Sequence, residues 1–222
     1  MLLFAAKVSD LILTLECIAC YNSKLVIRVS DWAIRFSSVV ELEGEPVSVV
    51  STPFDQVASI DQAKCCISDL GLVVQFLRAL PSVVVQFVLE GPEVIVRSGT
   101  SQCSPDIPEH AEHLCELGDY SPPDFPETST TLDRAGVNTF VRQLKVLRSL
   151  GTSCVFADGV LRGESAVIQF CFSYGDTEPV TFEIDRLLFY LEANQVGEMN
   201  VVVRGLFFAQ SGETTFYLAP MM

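Results

Sequence analysis

Hydrophobic and polar residues alternate along the chain with two different periods, and each change of period marks a new element. Leu2–Val8 is a short apolar run typical of a strand, and Ser9-Asp10 offers a helix cap before the helix-length apolar segment Leu11–Cys20. Three β-like stretches follow, namely Lys24–Val29, Trp32–Val40 and Pro46–Ser51. The first fifty residues therefore predict one strand, one helix and three further strands.

The same order recurs three more times, each time with a strand-like run, a capping Asp, an amphipathic helix and further strands. The three predicted helices are Leu70–Leu80, Arg134–Leu150 and Arg186–Gln195. The strands predicted after them are Val83–Leu89 and Glu93–Ser98, then Thr152–Ala157 and Val160–Phe172, then Asn200–Arg204, Leu206–Gln210 and Thr214–Ala219. One such unit cannot bury both its helix and its sheet. We therefore expect the four units to pair into two α+β domains.

Charge separates the two expected domains. The chain has 222 residues with a formal net charge of −14, and 49% of them are hydrophobic, which is enough for a filled core. Residues 101–133 carry eight acidic side chains and no Lys or Arg, so this segment accounts for −8 of the −14. The same segment contains five prolines, which disfavour helices and central strands. We expect an N-terminal domain over residues 1–100, an acidic connector over 101–127 and a C-terminal domain over 128–222.

The eight cysteines indicate a reducing compartment. Most of them, including the Cys17/Cys20 pair, lie in apolar runs, and the apolar amino terminus lacks the basic segment of a signal peptide. They are expected to be reduced core thiols of an intracellular protein that no membrane span anchors. Four metal-ligating residue types within the connector, Cys103, His110, His113 and Cys115, leave a zinc site as an alternative, although their spacing matches no common zinc finger.

Enzymatic chemistry has little support in the sequence. His110 and His113 are the only histidines, neither accompanies a Ser or Cys nucleophile, and no Gly-rich phosphate loop is present. The predicted third helix instead carries Arg142, Lys145 and Arg148 along one ridge, opposite its apolar side. Such a ridge is either an ordinary solvated helix face or a surface that faces phosphates. Four further basic residues near the predicted helices would extend it: Arg134, Arg186, Arg78 and Lys7.

The organisation and several segments resemble the DNA sliding clamps, the family of proliferating cell nuclear antigen and of the nine-one-one checkpoint clamp subunits. Phe182–Leu191 followed by Gln195-Val196 is similar to the last helix of these clamps, Thr215–Pro220 to their closing strand, and Phe4–Asp10 to their opening strand and cap. Pro123–Pro126 and Leu206–Gln210 after Gly205 look most like the Hus-type checkpoint subunit, whereas Tyr217–Pro220 also looks like the replicative clamp.

The resemblance implies a non-enzymatic subunit of a ring that encircles double-stranded DNA and needs no cofactor. A nuclear checkpoint heterotrimer with two other clamp-like subunits, a clamp loader, and repair and checkpoint partners is the first interpretation. A replicative homotrimer, or a divergent processivity factor, is the alternative. Apart from the resemblance, a metal-dependent enzyme or zinc module built on the connector is a third interpretation. The absence of basic residues from the first helix departs from the replicative pattern.

The resemblance also assigns surfaces to residues. The helices, with the seven basic residues named above, would line the hole and face DNA. Subunits would join through edge strands corresponding to Glu93–Ser98 and Ser165–Phe172, with the residues Glu93, Val94, Ile95, Val96, Ile168 and Phe170. Partner peptides would dock on an apolar C-terminal surface formed by Phe216, Tyr217, Leu218, Ala219 and Pro220.

Overall fold

The computed structural model of the chain describes residues 1–19, 21–30, 33–42, 45–54, 62–81, 83–117, 129–157, 160–169, 178–193, 197–203 and 205–221. The chain divides into two compact units. Residues 1–40 and 50–120 form unit 1, and residues 41–49 with 121–222 form unit 2. No helix in the described ranges is long and apolar enough to cross a membrane.

The described residues of the first half of the chain form eight strands and three helices. In chain order they are β1 (Leu2–Lys7), α1 (Val8–Ala19), β2 (Leu25–Ser30), β3 (Ala33–Leu42), β4 (Glu45–Phe54), β5 (Ala63–Ile67), α2 (Leu70–Ala79), β6 (Val84–Glu90), β7 (Glu93–Ser98), β8 (Ser101–Cys103) and α3 (Ala111–Leu117). One sheet has the order β1-β6-β7-β8, and β5, β2, β3 and β4 lie side by side in that order in another.

The second half repeats this arrangement. Its elements are β9 (Thr130–Leu132), α4 (Arg134–Arg148), β10 (Ser153–Ala157), β11 (Val160–Arg162), β12 (Val167–Gln169), β13 (Val180–Glu183), α5 (Ile184–Ala193), β14 (Met199–Val203), β15 (Phe207–Ser211) and β16 (Thr214–Leu218). One sheet has the order β12-β11-β10-β13, and β16, β15, β14 and β9 lie side by side in that order. The predicted recurrence of strand, helix and further strands in four units is therefore confirmed, with three strands after each of α1, α2, α4 and α5, as is the α+β class.

Each unit has an apolar core where its amphipathic helices pack together. In unit 1, α1 packs beside α2, and the Phe4 and Phe87 rings stack at 4.5 Å beneath them. In unit 2, α4 packs beside α5, and the Phe156 ring meets Phe182 edge-on at 5.4 Å. The buried positions of α4 recur at the 3.6-residue spacing of an amphipathic helix, namely Val137, Phe140, Val141, Leu144 and Leu147.

The connector is more structured than its composition indicated. The prolines of the predicted connector disfavour helices and central strands, yet residues 101–117 contain β8, which pairs with β7, and α3, which packs on β5. Leu114 and Cys115 are buried in one apolar cluster with Val26 and Cys66. The prolines lie outside both elements, so they are compatible with a three-residue strand and a seven-residue helix. Residues 118–128 lie outside the described residues.

A second correction concerns the predicted strand Val160–Phe172. The structure has two strands there, β11 and β12, which pair antiparallel around a turn closed by a hydrogen bond from Gly163 N to Ala166 O at 2.8 Å. The apolar character of this segment does not by itself show where the chain reverses direction, because only a short turn separates β11 from β12. Residues 170–172 lie outside the described residues.

Candidate nucleic-acid interface

The helix α4 presents its basic ridge to solvent because its other side is buried. Asp133 caps the helix, and its Oδ1 accepts a hydrogen bond from Gly136 N at 2.7 Å. Arg142, Lys145 and Arg148 are all exposed on the opposite side. The predicted placement of the ridge on an amphipathic helix is therefore what the structure has.

Two of the three ridge residues form ion pairs with acidic residues of the neighbouring helix α5. Lys145 Nζ lies 2.6 Å from Glu192 Oε1, and Arg148 Nε lies 2.6 Å from Asp185 Oδ1. The Lys145 and Arg148 side chains each remain 56% exposed. The capping Asp predicted before Arg186–Gln195 is Asp185, which the structure places in the first turn of α5. No sequence signal indicates Glu192, because ion pairs between two helices follow no local spacing.

The remaining basic residues of unit 2 differ in their surroundings. Arg186, on α5, lies 3.5 Å from Glu183 through its Nε and is the least exposed of the group. Arg134 and Arg142 are exposed and form no ion pair within the described part of the chain. Unit 2 thus brings five of the predicted DNA-facing residues onto the two neighbouring helices α4 and α5.

The helices of unit 1 carry much less positive charge. Arg78 of α2 lies 2.8 Å from Glu16 of α1, so its charge is balanced across the helix pair. Asp10 and Glu16 are charged residues of α1, and no Lys or Arg lies within its bounds. Lys7 is exposed at the end of β1, one residue before α1 begins. Unit 1 therefore has a helix pair that is poorly suited to phosphate.

The strand β7, which was expected at the sheet edge of unit 1, has a neighbouring strand on both sides over the second half of its length. β8 pairs with the second half of β7, with Val96 opposite Cys103 and Ser98 opposite Ser101. Val94 and Val96 are fully buried, Ile95 is half-buried and Glu93 is exposed. Residues Ser101–Cys103, which the composition places in the connector, form β8, and this short strand ends the described sheet.

The edge expected in unit 2 lies where it was predicted. β12 ends its sheet among the described strands and pairs only with β11 there. Val167 on β12 is 68% exposed, and Ile168 is half-buried. Gln143 of α4 donates from its Nε2 to Gln169 O at 3.0 Å, which ties the end of this strand to the basic helix. Phe170 lies outside the described residues.

Two of the residues predicted to bind partner peptides belong to the core. Phe216 is 0% exposed and its ring stacks on Tyr190 at 4.3 Å, while Leu218 is 3% exposed. The alternation of β16 turns these two side chains inward, because neighbouring residues of a strand face opposite sides. Tyr217 and Ala219 are half-buried and Pro220 is exposed, so only these three remain available to a partner.

The cysteine and histidine residues do not assemble into a metal centre in the described part of the chain, where no group of three or more His, Cys, Asp or Glu is placed to hold an ion. Cys115 faces the apolar cluster with Cys66, and His110 is exposed. Burial, followed by the nearby Asp69, raises the pKa of Cys103. Cys17 is exposed rather than in the core, and Cys20 lies outside the described residues.

Solved structures of bacterial sliding clamps match the whole chain. DNA polymerase III subunit beta from Pseudomonas aeruginosa aligns with 100% of this chain at a TM-score of 0.69 and 13% identity. The beta chain from Streptococcus pneumoniae aligns with 100% at 0.73 and 12% identity. The beta subunit from Thermotoga maritima aligns with 99% at 0.68 and 11% identity.

These matches concern the fold, since the identities are low. The chain spans 65% of the length of the Pseudomonas and Streptococcus proteins and 64% of the Thermotoga protein. No protein-family model and no curated protein matches the chain in sequence. The repeated units, their paired helices and the whole-chain structural match lead to one conclusion: this protein has the fold of the DNA sliding clamps.

Proposed function

We propose that this chain is a non-enzymatic subunit of a ring-shaped DNA clamp. The observation that carries the proposal is the match of the whole chain to sliding clamps, at TM-scores from 0.68 to 0.73 in six structures. The exposed Arg142 and its neighbours on α4 supply the phosphate-facing charge that such a ring needs. A ring retains DNA by enclosing it, so it needs neither base contacts nor tight binding. The acidic remainder of the chain discourages DNA from binding elsewhere.

We further propose that the ring is a heterotrimer of the checkpoint type, with this chain as its Hus-type subunit. The unequal helix pairs support this assignment. In a homotrimer the weakly basic pair of unit 1 would occur three times around the hole, whereas two different subunits can supply the missing charge. This proposal includes nuclear localisation, a clamp loader, and repair and checkpoint partners. A replicative homotrimer is the alternative.

The oligomeric state of the purified chain separates the two. Size-exclusion chromatography with light scattering should give one chain of 24.4 kDa for the heterotrimeric assignment. A stable species of three times that mass would contradict it and favour the replicative clamp. Capture from a cell extract should then recover other clamp-like subunits together with this chain.

The subunit contact itself is tested at the edge strand β12. Val167→Asp places a charge on an exposed edge and should abolish capture of the other subunits. Val83→Asp is the matched control, because Val83 is 70% exposed against 68% for Val167 and lies just before β6. If both variants capture the other subunits equally well, β12 is not the contact.

The DNA-facing role is tested by retention on closed circular DNA. Reversal of Arg142, Lys145 and Arg148 to Glu should impair loading or retention without unfolding the chain, because all three side chains are exposed and the ion pairs lost with Glu192 and Asp185 contribute about 1 kcal/mol or less each. As a single variant, Arg142→Glu is compared with the control Arg162→Glu, since Arg162 is also exposed but lies on β11 of the same unit. Unchanged retention in the triple variant would mean that the ridge is only a solvated helix face.

A further inference from the structure

We propose that Glu192 and Asp185 of α5 hold the DNA affinity of this surface down, by pairing with Lys145 and Arg148 and leaving Arg142 as the principal phosphate contact of the ridge. This inference rests on the proposed clamp function and adds to it a device that sets affinity. The partner that it concerns is the phosphate backbone of duplex DNA.

Among the described residues, Lys145 and Arg148 each form an ion pair with an acid of α5, whereas Arg134 and Arg142 form none. The Lys145–Glu192 and Arg148–Asp185 contacts are both 2.6 Å, and each joins α4 to α5. Side chains of Arg and Lys form charge-assisted hydrogen bonds with carboxylates and with phosphates alike. An acid at this distance therefore competes directly with a DNA phosphate for the same cation.

The competition is weak enough to be overcome by DNA. All four side chains are between 40% and 56% exposed, and breaking an ion pair in such a position changes an equilibrium constant by about fivefold or less. A DNA phosphate can therefore bind Lys145 or Arg148 by displacing its exposed carboxylate partner. Weak, sequence-independent phosphate contacts are what allow a protein to move along DNA, so attenuation of this kind suits a sliding subunit.

The charge balance of the helices shows why the acids matter. Within their bounds, α4 and α5 carry Arg134, Arg142, Lys145, Arg148 and Arg186 against Asp185 and Glu192, a net charge of +3. Within α1 and α2, Arg78 stands against Asp10 and Glu16, a net charge of −1. The basic helix pair is the DNA-facing surface of this chain, and its two acids remove two fifths of its positive charge.

The experiment is a nuclear magnetic resonance titration of the full chain with a short DNA duplex, which detects weak binding and reports on α4 directly. Glu192→Gln should strengthen binding about two- to fivefold, because Lys145 is released from its partner. The slope of log affinity against log salt should steepen by about 0.9, which corresponds to one added phosphate contact. Glu213→Gln, an exposed acid in the turn between β15 and β16, is the control for the change in net charge.

A second background makes the test specific. In a Lys145→Gln chain, the Glu192→Gln change should give no gain, because no cation remains to be released. A gain of equal size in that background, or with Glu213→Gln, would overturn the inference, since the effect would then be one of net charge. If DNA shifts the α4 resonances of the wild type but Glu192→Gln gives no gain in DNA affinity, the inference is overturned and the proposed function is not. The absence of any such shifts in wild type and variants also overturns the inference, whereas the proposed clamp function is decided separately by retention on closed circular DNA.

Discussion

Replacing Phe216 by Ala decides whether the end of the chain belongs to the core or to a partner surface. The Phe216 ring is 0% exposed, stacks on Tyr190 with an interplanar angle of 11°, and meets the Phe207 ring edge-on at 6.0 Å. Truncation to Ala therefore removes a whole ring from the centre of unit 2 and leaves a cavity between β16 and α5. A residue that served only a docked peptide would leave the stability of the free chain unchanged.

The expected loss follows from the burial. Phe→Ala substitutions in cores cost about 3–5 kcal/mol, through lost transfer energy and the residual cavity. Aromatic pairs contribute about 0.5–1.5 kcal/mol beyond their area, which favours the upper part of this range for a ring with two aromatic neighbours. Since domains are stable by about 5–15 kcal/mol, the variant should lose a large fraction of the stability of unit 2.

Urea denaturation provides the assay, with hydrogen exchange used to assign the loss to unit 2, because a chain with two units need not unfold in one step. At a slope of about 2 kcal/mol per molar urea, the midpoint should fall by about 2 M. Met221→Ala is the matched control near the same end: its side chain is 50% exposed, and its backbone N donates to Thr181 O in either variant. The control should change stability by less than about 0.5 kcal/mol. A Phe216→Ala loss below about 1 kcal/mol would refute the assignment of this ring to the core.

Two further predictions concern local contacts. Asp133→Ala removes the acceptor of the Gly136 N–H and should destabilise unit 2 by about 1 kcal/mol, with faster hydrogen exchange in the first turn of α4; Asp133→Asn should restore most of the loss, and equal losses in both variants would argue against the cap. Burial, together with the nearby Cys115, raises the pKa of Cys66 to about 12, so the reactive thiolate is scarce at pH 8. Iodoacetamide should therefore label the exposed Cys17 well before Cys66, as peptide mass spectrometry can measure, and similar labelling rates in the folded chain would contradict the burial.

Local patterns predicted much of the fold because they depend on neighbours in sequence. The 3.6-residue spacing of Val137, Phe140, Val141, Leu144 and Leu147 identified both the helix α4 and its buried side. Capping residues worked for the same reason, since the Asp69 carboxylate accepts from Leu72 N only three residues away. The resemblance to clamps then joined the four units into one architecture, and the whole-chain structural match bears out that fold.

Composition was a poorer guide where a segment is stabilised by distant residues. The acidity and prolines of residues 101–117 indicated a connector, yet Leu114 and Cys115 are buried against Val26 and Cys66, which lie far away in sequence. Apolar character alone also did not separate core from surface at the end of the chain. Phe216 is buried there while Met221 is half-exposed.

The sequence by itself determined the order of most elements, the amphipathic helices α1, α2, α4 and α5, and the basic ridge of Arg142, Lys145 and Arg148, because each follows from the spacing of nearby residues. Only the tertiary structure decided which strand ends a sheet, as with β8 rather than β7, and which acids neutralise the ridge, as with Glu192 and Asp185. Strand order and ion pairs between helices join residues that are remote in sequence. They depend on how elements pack, and no local period records that.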